Sequence, residues 1–157
     1  MSMYRHFQDK GALLNAMMGE GLAAWEKIAR SLKAQDPMRW LEQLLDALLE
    51  FAVTQPHLFD AAFFLPASKA RQYPDDFVTG RSPVAAMAMV RIDQAKAEGQ
   101  LGEKAALEVT LALSAMAQGL ISMYRANRFS SEKQFRALYR TAIRHCLKSF
   151  SGTGRTR

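Results

Sequence analysis

Three carboxylates are the first side chains whose types and spacing could support catalysis. Glu42, Asp46 and Glu50 recur every four residues, so they lie along one face of a predicted helix. A di-metal carboxylate site in a helical bundle needs a Glu followed three residues later by a His, and the sequence contains no such pair. The three carboxylates are therefore interpreted as a solvated helix face.

An imidazole and a thiol are the other reactive pair. His145 and Cys146 are adjacent, so on a helix they point about 100° apart and cannot hydrogen-bond as a nucleophile and its base without a bend. The sequence also lacks a Gly-rich phosphate loop, a paired-His zinc motif and a Cys pair. We predict that the protein is not an enzyme and binds no metal and no cofactor.

Composition predicts one soluble domain. The 157 residues are 49% hydrophobic and 23% charged, which is ordinary for a globular protein. No apolar run reaches the roughly 18 residues of a membrane span, and residues 1–20 lack the regions of a secretory signal. The single cysteine cannot form an intramolecular disulfide and is interpreted as a small apolar core residue. These features predict a cytoplasmic protein without a membrane partner.

A net charge of +6 favours an anionic partner in principle. Much of it recurs at helical spacing near the C-terminus, as Lys133, Arg136, Arg140, Arg144 and Lys148. Such a stripe is more often a solvated helix face than a phosphate-binding surface, because phosphate recognition needs more than charge at this spacing. The solvated face is the preferred interpretation.

Apolar residues recur every three or four positions almost throughout, which predicts an all-α bundle of about six main helices. Asp9, Asp36, Ser82 and Ser131 are candidate N-caps, and Gly99 is placed to end a helix in a left-handed turn. The predicted helices run from Asp9 to about Leu32, from Pro37 to Gln55, from His57 to Leu65, from Ser82 to Gly99, from Glu103 to Asn127 and from Ser131 to Phe150. The pattern is lost between Pro66 and Arg81, which predicts a mobile loop.

The predicted helix over residues 103–127 is apolar on two opposite sides. One arc, which includes Val109, Leu113, Met116, Leu120 and Met123, is expected to face the core. The opposite arc combines large aliphatic residues with small polar ones and carries little charge, which is unusual for a surface helix. We predict a homodimer through the last two helices of each copy, with an interface formed by Leu107, Leu111, Ser114, Gln118, Ile121, Phe135, Tyr139 and Ile143. A central helix in a monomeric bundle is the alternative.

Large flexible and aromatic side chains are concentrated where the helices should converge. Such stripes more often form a core than a ligand cage, so a core is the simpler interpretation. The competing hypothesis is a pocket for a small apolar molecule, lined by Met17, Trp25, Phe51, Phe59, Phe63, Met87, Met116 and Met123.

The start of the chain carries a distinctive motif. An aromatic residue, His-Phe, a Lys and an apolar pair fall in order as Tyr4, His6-Phe7, Lys10 and Leu13-Leu14. This segment resembles the point at which TetR-family transcriptional regulators leave the recognition helix and enter the ligand-binding body. The resemblance implies that roughly 40 residues of a helix-turn-helix would precede it. It divides the chain into a remnant of the DNA-binding head at residues 1–8, an effector-binding and dimerisation domain at 9–150 and a flexible tail at 151–157.

The C-terminal half resembles a TetR subgroup with a His-Gly motif in its long dimerisation helix. The residues concerned are 97–101, Ala-Glu-Gly-Gln-Leu, and 115–123, Ala-Met-Ala-Gln-Gly-Leu-Ile-Ser-Met. Gln118 stands where His is usual, which puts any His-dependent ligand contact in doubt. In the family, residues matching Tyr4, His6 and Lys10 contact DNA phosphate, and phosphate contacts position a protein without selecting a base sequence.

Together these resemblances imply a ligand-responsive DNA-binding transcriptional regulator, a repressor released by a small apolar molecule. They imply that operator DNA is bound only by a longer chain with the full helix-turn-helix. The alternative is a stand-alone helical small-molecule-binding protein that does not bind DNA.

Overall fold

The computed structural model describes residues 8–152, and these residues form seven α-helices in chain order. The helices are α1 (Lys10–Arg30), α2 (Pro37–Thr54), α3 (Pro56–Phe63), α4 (Asp75–Val78), α5 (Pro83–Ala97), α6 (Ala106–Arg125) and α7 (Glu132–Ser149). The predicted all-α bundle is confirmed, and its six main helices are all of these except the four-residue α4. That short helix lies inside the segment predicted as a loop.

Local sequence signals explain where the helices begin and end. Side-chain oxygens of Asp9, Asp36 and Ser131 accept backbone N–H bonds of 2.8, 2.8 and 3.1 Å in the first turns of α1, α2 and α7. Gly99 has φ 72°, the left-handed conformation expected after α5. Ser82 makes no side-chain capping bond, so the start of α5 depends on the favourable φ of Pro83.

α2 is the central helix of the bundle. It contacts α1, α3, α5, α6 and α7, and its buried residues lie on several sides. An aromatic cluster joins α2 to its neighbours: the Trp25 and Phe51 rings stack at 5.9 Å, and Phe59 lies 6.0 Å from Phe51 and 4.9 Å from Phe63. The fold therefore has one continuous core around α2.

The approach of α1 to α3 is very close. A Cβ atom built on Gly21 would lie 2.7 Å from the backbone nitrogen of Ala62 and closer still to the carbonyl oxygen of Leu58. Real Cβ atoms do not approach backbone this closely, so only glycine allows the two helices to touch at this point.

The acidic and basic stripes found in the sequence face each other. Arg140 of α7 lies 2.6 Å from Asp46 of α2, and Arg136 pairs with Glu50. Both stripes were predicted as solvated faces, and none of their residues is buried. The ion pairs between the two helices were not predicted. Each pair is partly exposed, so it contributes at most about 1 kcal/mol and is weakened by salt.

The predicted orientation of α6 was wrong for several residues. Met116 and Met123 were expected to face the core but are 39% and 49% exposed, whereas Ile121, placed on the opposite arc, is fully buried. Val109 and Leu113 face the core as predicted, and Ala117 and Ile121 complete that side at the same four-residue spacing. Because α6 is apolar nearly all round, its sequence pattern does not define a single buried direction.

Tyr139 gives a prediction about alkaline stability. Its ring is buried, and its hydroxyl donates a 2.7 Å hydrogen bond to the carbonyl oxygen of Leu45. Burial, reinforced by the negative charge of Asp46, raises the pKa of Tyr139 well above its ordinary value. A folded-state pKa above the unfolded value means that this contribution to stability is complete below about pH 10 and is lost as the pH rises further.

We therefore expect Tyr139→Phe to cost about 1 kcal/mol near pH 7, because the buried hydrogen bond is lost. Above pH 10 the difference in the free energy of unfolding between the wild-type chain and the variant should narrow, since phenylalanine has no proton to release. Urea unfolding at several pH values between 7 and 11 measures both effects. Parallel stability curves would contradict the prediction.

Candidate ligand-binding cavity

A cavity of about 510 Å³ lies between α1, α2, α3, α5 and α6, and the segment from Leu65 to Pro83 forms part of its wall. This volume is in the usual range of small-molecule sites. Most of the wall is apolar, and it is formed by Met18, Leu22, Trp25, Leu44, Leu45, Leu48, Phe63, Leu65, Phe77 and Val84.

α6 supplies a polar stripe to this apolar wall. Thr110, Ser114 and Gln118 are four residues apart, so they lie on one side of α6, and all three line the cavity. Thr110 is only 4% exposed, and its hydroxyl has no hydrogen-bond partner among the described residues. A buried polar atom without a partner is costly, and a bound molecule is one means of satisfying it.

The segment between α3 and α5 adds positive charge. Lys69, Arg71 and Arg81 all line the cavity. Arg81 pairs at 2.9 Å with Asp76, which is 3% exposed and whose second oxygen accepts a 2.6 Å bond from the backbone N–H of Gln72. This pairing ties the end of the segment to α4.

Asn15 of α1 holds the beginning of the same segment. Its side-chain oxygen accepts a 3.0 Å bond from the backbone N–H of Lys69, and its side-chain nitrogen donates a 3.0 Å bond to the hydroxyl of Ser68. The segment that was predicted as a mobile loop is therefore bonded to α1 at its beginning, beside the cavity, and is braced internally at its end by the Arg81–Asp76 pair.

Two of the eight predicted ligand-binding residues, Trp25 and Phe63, line the cavity. Phe51 and Phe59 lie in the core, where they pack against Trp25 and Phe63. The methionines lie elsewhere: Met17, Met116 and Met123 are exposed, and Met87 lines a surface groove beside Trp40.

The position of the basic segment in the cavity wall was not predicted from the sequence. The polar stripe on α6 was visible as Thr110, Ser114 and Gln118 at four-residue spacing.

The predicted interface residues are divided among three environments. Ser114 and Gln118 line the cavity, and Ile121, Phe135, Tyr139 and Ile143 are buried in the core of the subunit. Leu107 and Leu111 are half-buried. A partner could therefore not cover the four core residues directly, and of the eight predicted residues only Leu107 and Leu111 contribute to the outer surface of α6.

The DNA-contact predictions fall at the edge of the described region. Tyr4 and His6, together with most of the predicted remnant at 1–8, lie outside the described residues, as does most of the tail at 151–157. Lys10 is the exposed first residue of α1. Within residues 8–152, no group of three or more His, Cys, Asp or Glu side chains is placed to hold a metal ion.

α6 is the one helix in the described part of the chain that is long and apolar enough to cross a membrane by length and composition. One such helix is weak evidence for a membrane span, because core helices of globular proteins pass the same test. In this fold, α6 contacts α2, α5 and α7 and lines a polar part of the cavity.

The fold is similar to that of a solved structure. No curated protein matches the chain. Among solved structures, the chain is similar to a protein of unknown function from Rhodococcus sp. RHA1, with 18% sequence identity and a TM-score of 0.72 over 94% of this chain and 76% of that one. At this identity the likeness shows the fold alone.

Residues 41–146 match the family described as tetracycline repressor-like, C-terminal domain. This match extends from α2 to α7, and it covers all of the cavity-lining residues of α6. The family is regulatory and non-enzymatic. The resemblance to a His-Gly subgroup stays a prediction. The chain belongs to the tetracycline repressor-like C-terminal domain family.

Proposed function

We propose that this chain is the effector-binding and dimerisation domain of a ligand-responsive transcriptional regulator. The observation that carries the proposal is the double position of α6. One side of this helix lines the cavity through Thr110, Ser114 and Gln118, and another side presents an exposed face that contains Met116 and Met123. A ligand in the cavity would therefore contact the same helix whose opposite side is available to a partner subunit.

The exposed face of α6 favours a second copy of the chain. Of the 20 residues of this apolar helix, only Val109, Thr110, Leu113, Ala117 and Ile121 are buried within the subunit. Between the exposed charges Glu108 and Arg125, the uncovered residues of α6 are Ala115, Met116, Gly119, Ser122 and Met123, and α7 adds exposed Ala137 and Leu138. Small residues allow close helix approach, and two helices from each copy would form a four-helix interface. We name these seven residues the dimer face.

Ligand binding would act through the relative position of the two copies. A ligand shifts a conformational equilibrium only if it binds one state better than the other. The proposed regulator is cytoplasmic and binds operator DNA through a helix-turn-helix in a longer chain, with Tyr4, His6 and Lys10 against phosphate. Release of a repressor is the proposed direction of the response. A stand-alone binding protein is the alternative, and the motif at residues 4–14 favours the regulator.

Ala115→Arg tests the dimer. We expect the wild-type chain to sediment as a dimer at tens of micromolar, and the variant as a monomer, because the substitution places a charge in the centre of the dimer face. Ala97→Arg is the matched control, since Ala97 is exposed at the end of α5 outside this face. A monomeric wild-type chain would refute the dimer.

Ser114→Trp tests the cavity. The indole should fill part of the space, so that ligands from a broad panel of apolar molecules lose affinity by at least tenfold, as expected when a ligand loses its site. Thermal melting and the combined fluorescence of Trp25 and Trp40 report binding to the wild-type chain. Ala126→Trp, at an exposed position after α6, is the control. If no panel member changes either signal of the wild-type chain, the proposed function is wrong.

A further inference from the structure

The cavity wall carries more positive than negative side chains. Its single carboxylate, Glu26, pairs with Arg30 at 2.7 Å, and Arg81 is paired with Asp76. Lys69 and Arg71 also line the cavity, and neither has a carboxylate partner within residues 8–152. The wall therefore carries two cations that the described protein does not neutralise.

Two polar atoms at this wall are buried without a partner. The Nε atom of Arg71 and the hydroxyl oxygen of Thr110 are inaccessible to solvent and make no hydrogen bond among the described residues. The guanidinium can only donate, and the threonine hydroxyl can donate or accept. An acceptor with two oxygens can receive one hydrogen bond from Arg71 and another from the Thr110 hydroxyl. Carboxylate is such a group, and its planar shape matches the guanidinium.

The remainder of the wall determines what must accompany the anionic group. Trp25, Leu44 and Phe63 belong to a broad apolar surface that a small hydrated anion would leave in contact with water. A wholly apolar molecule would cover this surface but leave Arg71 without an acceptor. An amphipathic molecule satisfies both parts of the cavity.

We propose that the cavity binds a monocarboxylic acid with an apolar body, whose carboxylate is held by Arg71 and Lys69 with the Thr110 hydroxyl as an additional partner. This rests on the proposed ligand-binding function and narrows the expected effector from an apolar molecule to an amphipathic anion. Asn15 acts as a positioning residue, because it holds the backbone at Lys69 beside α1.

Two matched pairs of compounds test the charge requirement: decanoate against decanamide, and 3-phenylpropionate against 3-phenylpropionamide. Each acid and its amide share the same apolar body. We expect at least one acid to bind the wild-type chain about 10- to 100-fold more tightly than its amide at pH 7, as charge-assisted hydrogen bonds are worth this much. The readouts are thermal melting and the combined fluorescence of Trp25, which lines the cavity, and Trp40, which does not.

Three variants test the assigned residues. Arg71→Gln should remove most of the preference for the acid, and Arg71→Lys should retain part of it, because the charge remains. Thr110→Val should weaken acid binding by about fivefold, since one hydrogen bond is lost. Arg39→Gln is the control, because Arg39 is exposed on α2 and does not line the cavity. Melting of each unliganded variant reports whether it folds.

The possible outcomes distinguish a failure of the carboxylate proposal from a failure of the proposed ligand-binding function. If the amides bind as tightly as the acids, the carboxylate proposal is overturned while the ligand-binding function stands. If the acids are preferred but Arg71→Gln keeps the whole preference, the assignment of the anion to Arg71 is overturned. If no acid binds, the carboxylate proposal is overturned, and the ligand-binding function depends on the wider panel tested with Ser114→Trp.

Discussion

Gly21→Ala is expected to lower the free energy of unfolding by about 1–3 kcal/mol or more, although alanine is the better helix former. The new methyl group would meet the backbone of α3 at Leu58 and Ala62. Backbone atoms in a helix cannot rotate away as a side chain can, so α1 and α3 must separate. The separation also disturbs the cavity, which both helices line.

Gly19→Ala is the matched control for this prediction. Gly19 lies two residues away in the same helix, and a Cβ atom built on it meets nothing within 4 Å. We expect this substitution to stabilise the chain by up to about 1 kcal/mol, since alanine loses less backbone entropy in a helix. Urea or thermal unfolding of both variants at one protein concentration measures the two opposite effects. Equal changes in the free energy of unfolding of the two variants would show that α1 and α3 are not in close contact at Gly21.

Phe135→Ala is expected to cost about 3–5 kcal/mol, which approaches the whole stability of many domains. Phe135 is fully buried in α7, its ring stacks on Tyr124 of α6 at 4.2 Å, and Phe129 and Tyr139 lie at 5.1 and 5.9 Å. Removal of the ring leaves a cavity between α6 and α7. Denaturant unfolding measures the loss, and Phe135→Leu should recover part of it.

Leu138→Ala separates a core role from an interface role. Leu138 lies three residues after Phe135 in α7 but is 48% exposed and belongs to the dimer face. Its truncation should change the stability of the isolated subunit by less than about 0.5 kcal/mol and weaken dimer formation instead. If Phe135→Ala instead dissociated the dimer and left subunit stability unchanged, the burial of Phe135 within one subunit would be wrong.

The helices could be predicted because short-range signals define them. Pro37, Pro56 and Pro83 begin α2, α3 and α5, and Asp9 and Ser131 cap α1 and α7 as expected. These signals act within one turn of helix, so no knowledge of the packing is needed to find them. The observed bounds agree with the predicted ones to within about three residues, which is the usual uncertainty of helix ends.

The faces of the helices were harder to predict than their bounds. α6 is apolar on several sides, and the flexible methionines that seemed suited to a core lie at the surface instead. Periodicity also does not encode two features of the packing. One is the chain path that brings Lys69 and Arg71 to the cavity wall, and the other is the pairing, outside the cavity, of α2 carboxylates with α7 arginines. Both require contacts between residues far apart in sequence.

The contact at Gly21 has a consequence for any movement of α1. Because the backbones of α1 and α3 meet there, a tilt of α1 is expected to pivot at this point. Lys10 lies eleven residues from this pivot, or ~16 Å along the axis at the helical rise per residue. A tilt of about 5° would displace Lys10 by ~1.4 Å over that length. Trp25, one turn beyond the pivot, would move only ~0.5 Å in the opposite direction. A slight adjustment at the cavity would thus be enlarged roughly threefold at the N-terminal end of α1, provided that Ser68 and Lys69, which Asn15 holds, move with the helix.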